Sequence, residues 1–222
     1  MTTRTLGGKT CHLFDHGTDP VLLYGITPGG DAAAQQTDRL LRAQTHAPYR
    51  LLAFEADSWA DDFSPWAAPA VRDMTFGGHA DRTLDWLRTA AIPFLGAQRP
   101  WIGGYSLAGL FALWALGSGD FGGAAACSPS LWFPGWAEYA DFPLPDGCRV
   151  YLSIGKRELH PRNPAMASVG ERVQSFADRL RRDPACRWMQ LEYPPGGHFT
   201  DPPGRMARGF AALLNGAAEG QT

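Results

Sequence analysis

Two hydrophobic periods alternate along the chain. The run Val21-Leu22-Leu23-Tyr24-Gly25-Ile26 is apolar at every position, the pattern of a strand covered on both faces. Residues 49–56, 122–127, 150–154 and 188–193 carry similar short runs, and residues 9–16 predict a first short strand. Between them the spacing becomes helical. Leu84, Leu87, Ala91 and Leu95 share one face, with Pro93 ending or kinking the element. Met166, Val169, Val173, Phe176 and Leu180 share a face of another, with Asn163 and Pro164 as N-cap and first residue. Asp31 predicts the N-cap of a helix over 32–44, and a C-terminal helix is expected over 203–214. Strands alternating with helices predict an α/β fold, with a mostly parallel central sheet and helices on both faces. Ligands of such sheets bind at the carboxyl ends of the strands. Residues 57–78 read as one long irregular segment, and such loops are often functional.

One stretch organises the rest: Trp101-Ile102-Gly103-Gly104-Tyr105-Ser106-Leu107-Ala108-Gly109-Leu110-Phe111. It reads as a short strand, a Gly-rich turn, a serine and an apolar helix with Leu107, Leu110, Phe111 and Trp114 facing inward. That is the layout of a nucleophile elbow, which lifts a serine hydroxyl to a helix N-terminus at the sheet edge. Small residues must flank the serine because strand and helix nearly touch there. Gly104 fits. Ala108 stands where glycine is usual, and Gly109 follows. A five-residue pattern of this kind also arises by chance as an ordinary turn, so the rest of the chain has to decide.

A serine hydroxyl needs a base to take its proton, and histidine is tuned for that. Of six histidines, only His198 lies in a Gly-rich loop directly after a predicted strand and before the terminal helix. A third group should orient the imidazole. Glu158 follows the strand before the histidine strand and fills that place. The order nucleophile, acid, base is that of the α/β-hydrolase arrangement. Asp178 and Asp183 lie farther from the sheet edge, and a Ser–His dyad without an acid is the alternative. The oxyanion needs two N–H donors. The backbone N–H of Leu107 is one candidate. Pro28 has no N–H, which leaves Thr27 first and Gly29 second for the other. Trp59, Phe63, Trp66, Trp132, Phe133 and Trp136 fall in predicted loops near this edge and are candidates to wall an apolar pocket, unless they are packing residues.

Composition narrows the class. The 222 residues suit one α/β domain spanning 1–222, and 45% apolar with 19% charged is a globular balance. The net charge of −2, without a basic stripe, points away from nucleic acid. No apolar run reaches membrane-spanning length, and the N-terminus lacks the apolar core of a signal peptide. Cys11, Cys127, Cys148 and Cys186 have no metal-ligand spacing. Reduced thiols in a cytoplasmic protein, with no metal and no cofactor, are the expectation. The partner expected is a small-molecule ester, and nothing in the sequence sets an oligomeric state.

Three motifs carry a family resemblance: the elbow from Gly103 to Trp114, Ser128-Pro129-Ser130-Leu131-Trp132-Phe133, and Gly196-Gly197-His198-Phe199. With them the chain resembles, over nearly its whole length, the esterase branch of the α/β hydrolases. That branch includes enterochelin (siderophore) esterase-like proteins, esterase D-like proteins and mycolyltransferases. Trp59-Ala60-Asp61-Asp62-Phe63-Ser64-Pro65-Trp66 is similar to a bacterial subgroup, as is Gly155-Lys156-Arg157-Glu158 followed by Arg162-Asn163-Pro164-Ala165-Met166. The resemblance implies a serine hydrolase of carboxylic esters with Ser106 as nucleophile and His198 as base. It supports Glu158 less firmly, because some relatives use a dyad. The chain departs at Ala108 and at Thr27-Pro28, where many relatives carry Asp-Gly. Few residues precede Val21, so the first strands of a full eight-stranded sheet are expected to be shortened or missing. Two alternatives share the architecture. An acyltransferase would use an alcohol in place of water, and a non-catalytic binding module should have lost Ser106 or His198.

Overall fold

In the computed structural model, which describes residues 1–71, 74–160 and 163–219, eight strands form one sheet. In chain order the strands are β1 (Thr2–Leu6), β2 (Lys9–Asp15), β3 (Val21–Ile26), β4 (Arg50–Glu55), a separate hairpin of β5 (Ala68–Val71) and β6 (Met74–Phe76), then β7 (Trp101–Tyr105), β8 (Gly123–Cys127), β9 (Cys148–Ser153) and β10 (Cys186–Glu192). The order across the sheet is β1-β2-β4-β3-β7-β8-β9-β10. The pairs β1–β2 and β2–β4 are antiparallel, and every other pair is parallel. The chain leaves β3 toward β4 on one side and returns to β7 on the other. The crevice between β3 and β7 is therefore the topological switch point, where ligands of such sheets bind.

The N-terminal strands expected to be shortened or missing are in place, with five residues in β1 and seven in β2. Gly7 and Gly8 join them with φ of +51° and +89°, the two positive values that a tight two-residue hairpin demands. The Thr-Thr-Arg-Thr sequence of β1 has no apolar alternation because the strand is an exposed sheet edge.

The helices in chain order are α1 (Asp31–Arg42), α2 (Trp59–Asp62), α3 (Ala80–Trp86), α4 (Ile92–Leu95), α5 (Leu107–Leu116), α6 (Trp136–Tyr139), α7 (Val169–Arg182) and α8 (Pro202–Glu219). Side chains alternate across the sheet into two cores. Leu23, Leu52, Ile102 and Val150 meet residues of α3, α5 and α7. Leu22, Leu51, Trp101 and Tyr151 meet residues of α1 and α8. Helix α5 is buried around nearly its whole circumference, with only Trp114 half-buried. Its inward face is thus not a stripe: the helix is enclosed.

Several boundaries differ from those expected. Gly30, not Asp31, occupies the N-cap of α1. Asp31 is the first helical residue, where its charge meets the positive helix end. The 164–166 segment is a separate 3-10 turn, and α7 begins only after Ser168. Arg162 lies outside the described residues. Pro93 does not end its helix. A π-helical turn over Leu87–Ala91 precedes it, and the helix runs on through α4 to Gly96, which has φ +59°. A widened turn relieves the clash and missing N–H that proline brings to a regular helix. The irregular segment over 57–78 contains α2 and the β5–β6 hairpin.

Candidate active site

Ser106 sits between β7 and α5 with φ 57° and ψ −118°, the half of the map that favours glycine. Such strain costs about 1–3 kcal/mol and persists only where neighbours over-determine it. Here the Ser106 N–H donates to the Cys127 carbonyl at 3.0 Å, and the Ser130 N–H donates to the Ser106 carbonyl at 3.0 Å. Gly104 is required because a Cβ there would meet the Ala108 backbone at 2.2 Å. The same vacancy accommodates the methyl of Ala108. Gly109 supplies the other bare position, where a Cβ would lie 3.0 Å from the Gly104 carbonyl oxygen.

Ser106 Oγ lies 3.0 Å from His198 Nε2, and His198 Nδ1 lies 2.7 Å from Glu158 Oε2. The three residues follow β7, β10 and β9, so the sheet's carboxyl edge brings them together. Burial works against a charge on Glu158. Hydrogen bonds from His198 and Ser128, the His198 charge and the Gly155 N–H outweigh it and hold the carboxyl at about 2. An ionised carboxylate only accepts, so His198 Nδ1 carries a proton, and in the neutral imidazole Nε2 is then the acceptor for the Ser106 hydroxyl. That is the tautomer a base requires.

Glu158 is held on its other oxygen by three donors. Ser128 Oγ donates to Oε1 at 2.5 Å, the Gly155 N–H at 2.8 Å and Arg205 Nη1 at 3.0 Å. Gly155 must be glycine, since a Cβ there would meet Glu158 Oε1 and the Gly196 carbonyl at 2.7 Å each. The His198 loop turns at Gly196, which has φ +96°. Tyr105 donates to the His198 carbonyl at 2.6 Å and accepts from Arg205 at 2.7 Å. Burial pushes the Tyr105 phenol up to about 12, so it remains a neutral donor.

Leu107 is the first residue of α5, and its N–H is among the first-turn amides without an intrahelical acceptor. β3 pairs with β7 as Tyr24 with Gly103, and extending that register sets Thr27 level with Ser106. Gly29 is otherwise engaged, its N–H donating to Glu55 Oε2 at 3.0 Å. The six aromatics divide. Phe63, Phe133 and Trp136 are fully buried and belong to the core. Trp59, Trp66 and Trp132 are half-buried. Trp66 donates its indole N–H to the Pro134 carbonyl at 2.7 Å, bracing one loop against the next. Clefts of about 470 Å³ beside Lys9 and Trp86, and of about 370 Å³ between α6 and α7, have linings that include none of Ser106, His198 and Glu158. His198 keeps about one-third of its side chain exposed, and the neighbouring Phe199 is 89% exposed.

Sequence reasoning did not single out Tyr105, Ser128, Ser130 or Arg205 for the site. Ser130 Oγ lies 3.3 Å from Ser106 Oγ. Arg205 carried a readable signal: it adjoins Met206 in a helix whose other inward positions are apolar, and it is 1% exposed. Among the described residues no cluster of His, Cys, Asp or Glu could hold a metal ion, and no helix is long and apolar enough to cross a membrane.

The sheet order and this strand–serine–helix turn define an α/β-hydrolase fold, the fold the sequence resemblance implied. Solved structures agree. The siderophore hydrolase EstA from Aspergillus nidulans is 17% identical with a TM-score of 0.75, covering 93% of this chain and 90% of its own. An IroE-like serine hydrolase from Shewanella oneidensis is 17% identical with a TM-score of 0.77, covering 96% and 80%. The BES protein from Bacillus cereus is 16% identical with a TM-score of 0.70, covering 95% and 92%. No family model and no curated protein matches the chain by sequence.

Proposed function

We propose that this protein is a serine hydrolase that cleaves a small-molecule carboxylic ester through an acyl-serine intermediate on Ser106. One observation carries the reading: the unbroken Ser106–His198–Glu158 chain of hydrogen bonds at 3.0 and 2.7 Å, on a strained turn. Ser106 Oγ attacks the ester carbonyl carbon while its proton passes to His198 Nε2. The carbonyl oxygen becomes an oxyanion facing the Leu107 N–H, with the Thr27 N–H as second donor. The carbon–oxygen bond to the alcohol breaks, and His198 returns its proton to the leaving oxygen. Water then gives a proton to Nε2 and attacks the acyl carbon, releasing the acid and restoring the serine. Glu158 keeps the imidazole in the right tautomer and stabilises its charged form.

Siderophore and other esters are chemically compatible with this site, and the names of the structural neighbours favour testing siderophore esters first. The test is labelling with a fluorophosphonate probe followed by an ester panel. Labelling and hydrolysis in the parent chain, both lost in Ser106→Ala, are expected. Labelling that survives Ser106→Ala would overturn the assignment.

A further inference from the structure

Arg205 is a full charge placed where the fold gives no reason for one. It is 1% exposed on the sheet-facing side of α8, and its Nε has no hydrogen-bond partner. A buried ion pair is commonly no more stabilising than apolar side chains of the same volume. Stability therefore does not account for it, but its contacts do. One guanidinium nitrogen, Nη1, reaches Glu158 Oε1 at 3.0 Å and the Tyr105 hydroxyl at 2.7 Å. The same hydroxyl donates to the His198 backbone carbonyl at 2.6 Å. The guanidinium also lies 5.2 Å from the centre of the Tyr105 ring.

We infer that Arg205, acting with Tyr105, is a positioning residue that locks the acid and the base of the site to one another. The inference rests on the Ser106–His198–Glu158 reading proposed above. Arg205 fixes the Glu158 carboxylate directly, so that Oε2 faces His198. Through Tyr105 it fixes the backbone of the loop that carries His198. Both hydrogen-bonded partners of the relay are thus referred to one nitrogen on the opposite face of the sheet from α5. Neither Arg205 nor Tyr105 touches the reacting atoms in this scheme. The titratable and charged groups around the cluster are His198, Glu158, Tyr105 and Arg205. Cys127 of β8 lies behind Tyr105 and also faces Glu192 of β10, and the Arg208–Asp201 pair stands at the start of α8.

Removing the cation favours the protonated form of both His198 and Glu158. The active form needs neutral His198, so easier protonation of the imidazole moves the acid limb of kcat/KM to higher pH, while Glu158, held at about 2, stays ionised there. The experiment compares Arg205→Met, Arg205→Lys and Tyr105→Phe with the parent chain. It measures kcat, KM and their pH profiles on an activated ester, with circular dichroism to confirm folding. Arg205→Met is expected to lower kcat about tenfold or more with KM little changed, a part of what general acid–base catalysis supplies. Its acid limb should rise, by on the order of one pH unit. Arg205→Lys should restore the limb but not all of kcat, since it keeps the charge and loses the reach. Tyr105→Phe keeps the ring in place and so guards against misfolding of the Arg205→Met variant. It should lower kcat several-fold with the limb unmoved. Ser106-dependent hydrolysis that stays within twofold in folded Arg205→Met and Tyr105→Phe, with an unmoved limb, overturns this inference alone. A parent chain with no Ser106-dependent labelling or hydrolysis overturns the triad reading and takes this inference with it.

Discussion

Replacing Glu158 by glutamine tests the triad against a Ser–His dyad with the smallest possible change of shape. Three donors converge on Oε1: Ser128, the Gly155 N–H and Arg205. An amide has one acceptor oxygen, and these donors would claim it. The amide nitrogen must then face His198 Nδ1, which is 2.7 Å from the present Oε2. Nδ1 becomes the acceptor, Nε2 carries the proton, and Ser106 loses its base. The electrostatic loss adds to this. The carboxyl is held at about 2 against an ordinary 4.5, which amounts to about 3 kcal/mol in favour of its charged form. A carboxylate about 4 Å from a newly formed imidazolium, at an effective dielectric of about 20, gives about 4 kcal/mol. The shift only says that the carboxylate is charged at working pH, whereas the Coulomb figure, gained as the imidazolium forms, is worth about 10³ in rate, and the wrong tautomer extends the loss toward about 10⁴. The assay is kcat on an activated ester across pH, beside a thermal melt that confirms the fold. A loss under about threefold in a folded Glu158→Gln chain would refute the tautomer argument and leave a dyad.

The same carboxyl governs acid stability. Its folded value lies below its ordinary one, so its contribution is complete above pH 4.5 and lost as the pH falls toward 2. Melting temperatures from pH 6 to pH 2.5 should therefore converge between the parent chain and Glu158→Gln, and parallel curves would count against the assignment. At the elbow, Gly104→Ala forces a methyl into the Ala108 backbone at 2.2 Å. It should destabilise the fold by about 1–3 kcal/mol or more and abolish labelling of Ser106. A denaturant midpoint unchanged from the parent would show that strand and helix are not in contact there.

The sheet core was legible because its strands are covered on both faces and so read as unbroken apolar runs. Val21–Ile26 matches its run at both ends. β1 was not legible, because an exposed edge strand of threonines has no hydrophobic signature. Pro93 was legible in part: the helix does not end there but is distorted by a π turn just before it. Proline is a strong local stop, and only the packing of Leu87, Ala91 and Leu95 in the core carries the helix past it through a π turn. Ser106, Glu158 and His198 could be placed because each follows a strand end, so chain order alone assigned them to one edge. Tyr105 could not, because its importance lies in a pairing across 100 residues that leaves no local pattern, and the charge of Arg205 among apolar positions marked it as unusual without linking it to the site. The aromatic loops were half legible. Phe63, Phe133 and Trp136 are core residues that local composition had placed in loops.

Ser106 and His198 stand 92 positions apart, and Arg205 comes later still, on α8. A chain growing on the ribosome therefore carries its serine long before its base or the helix behind the acid. On the function proposed above, Ser106 would be an ordinary alcohol until α8 docks on α1 and the sheet. Hydrolytic competence would then arrive with the last layer of the fold, and partly made or C-terminally nicked chains should be silent rather than indiscriminate esterases.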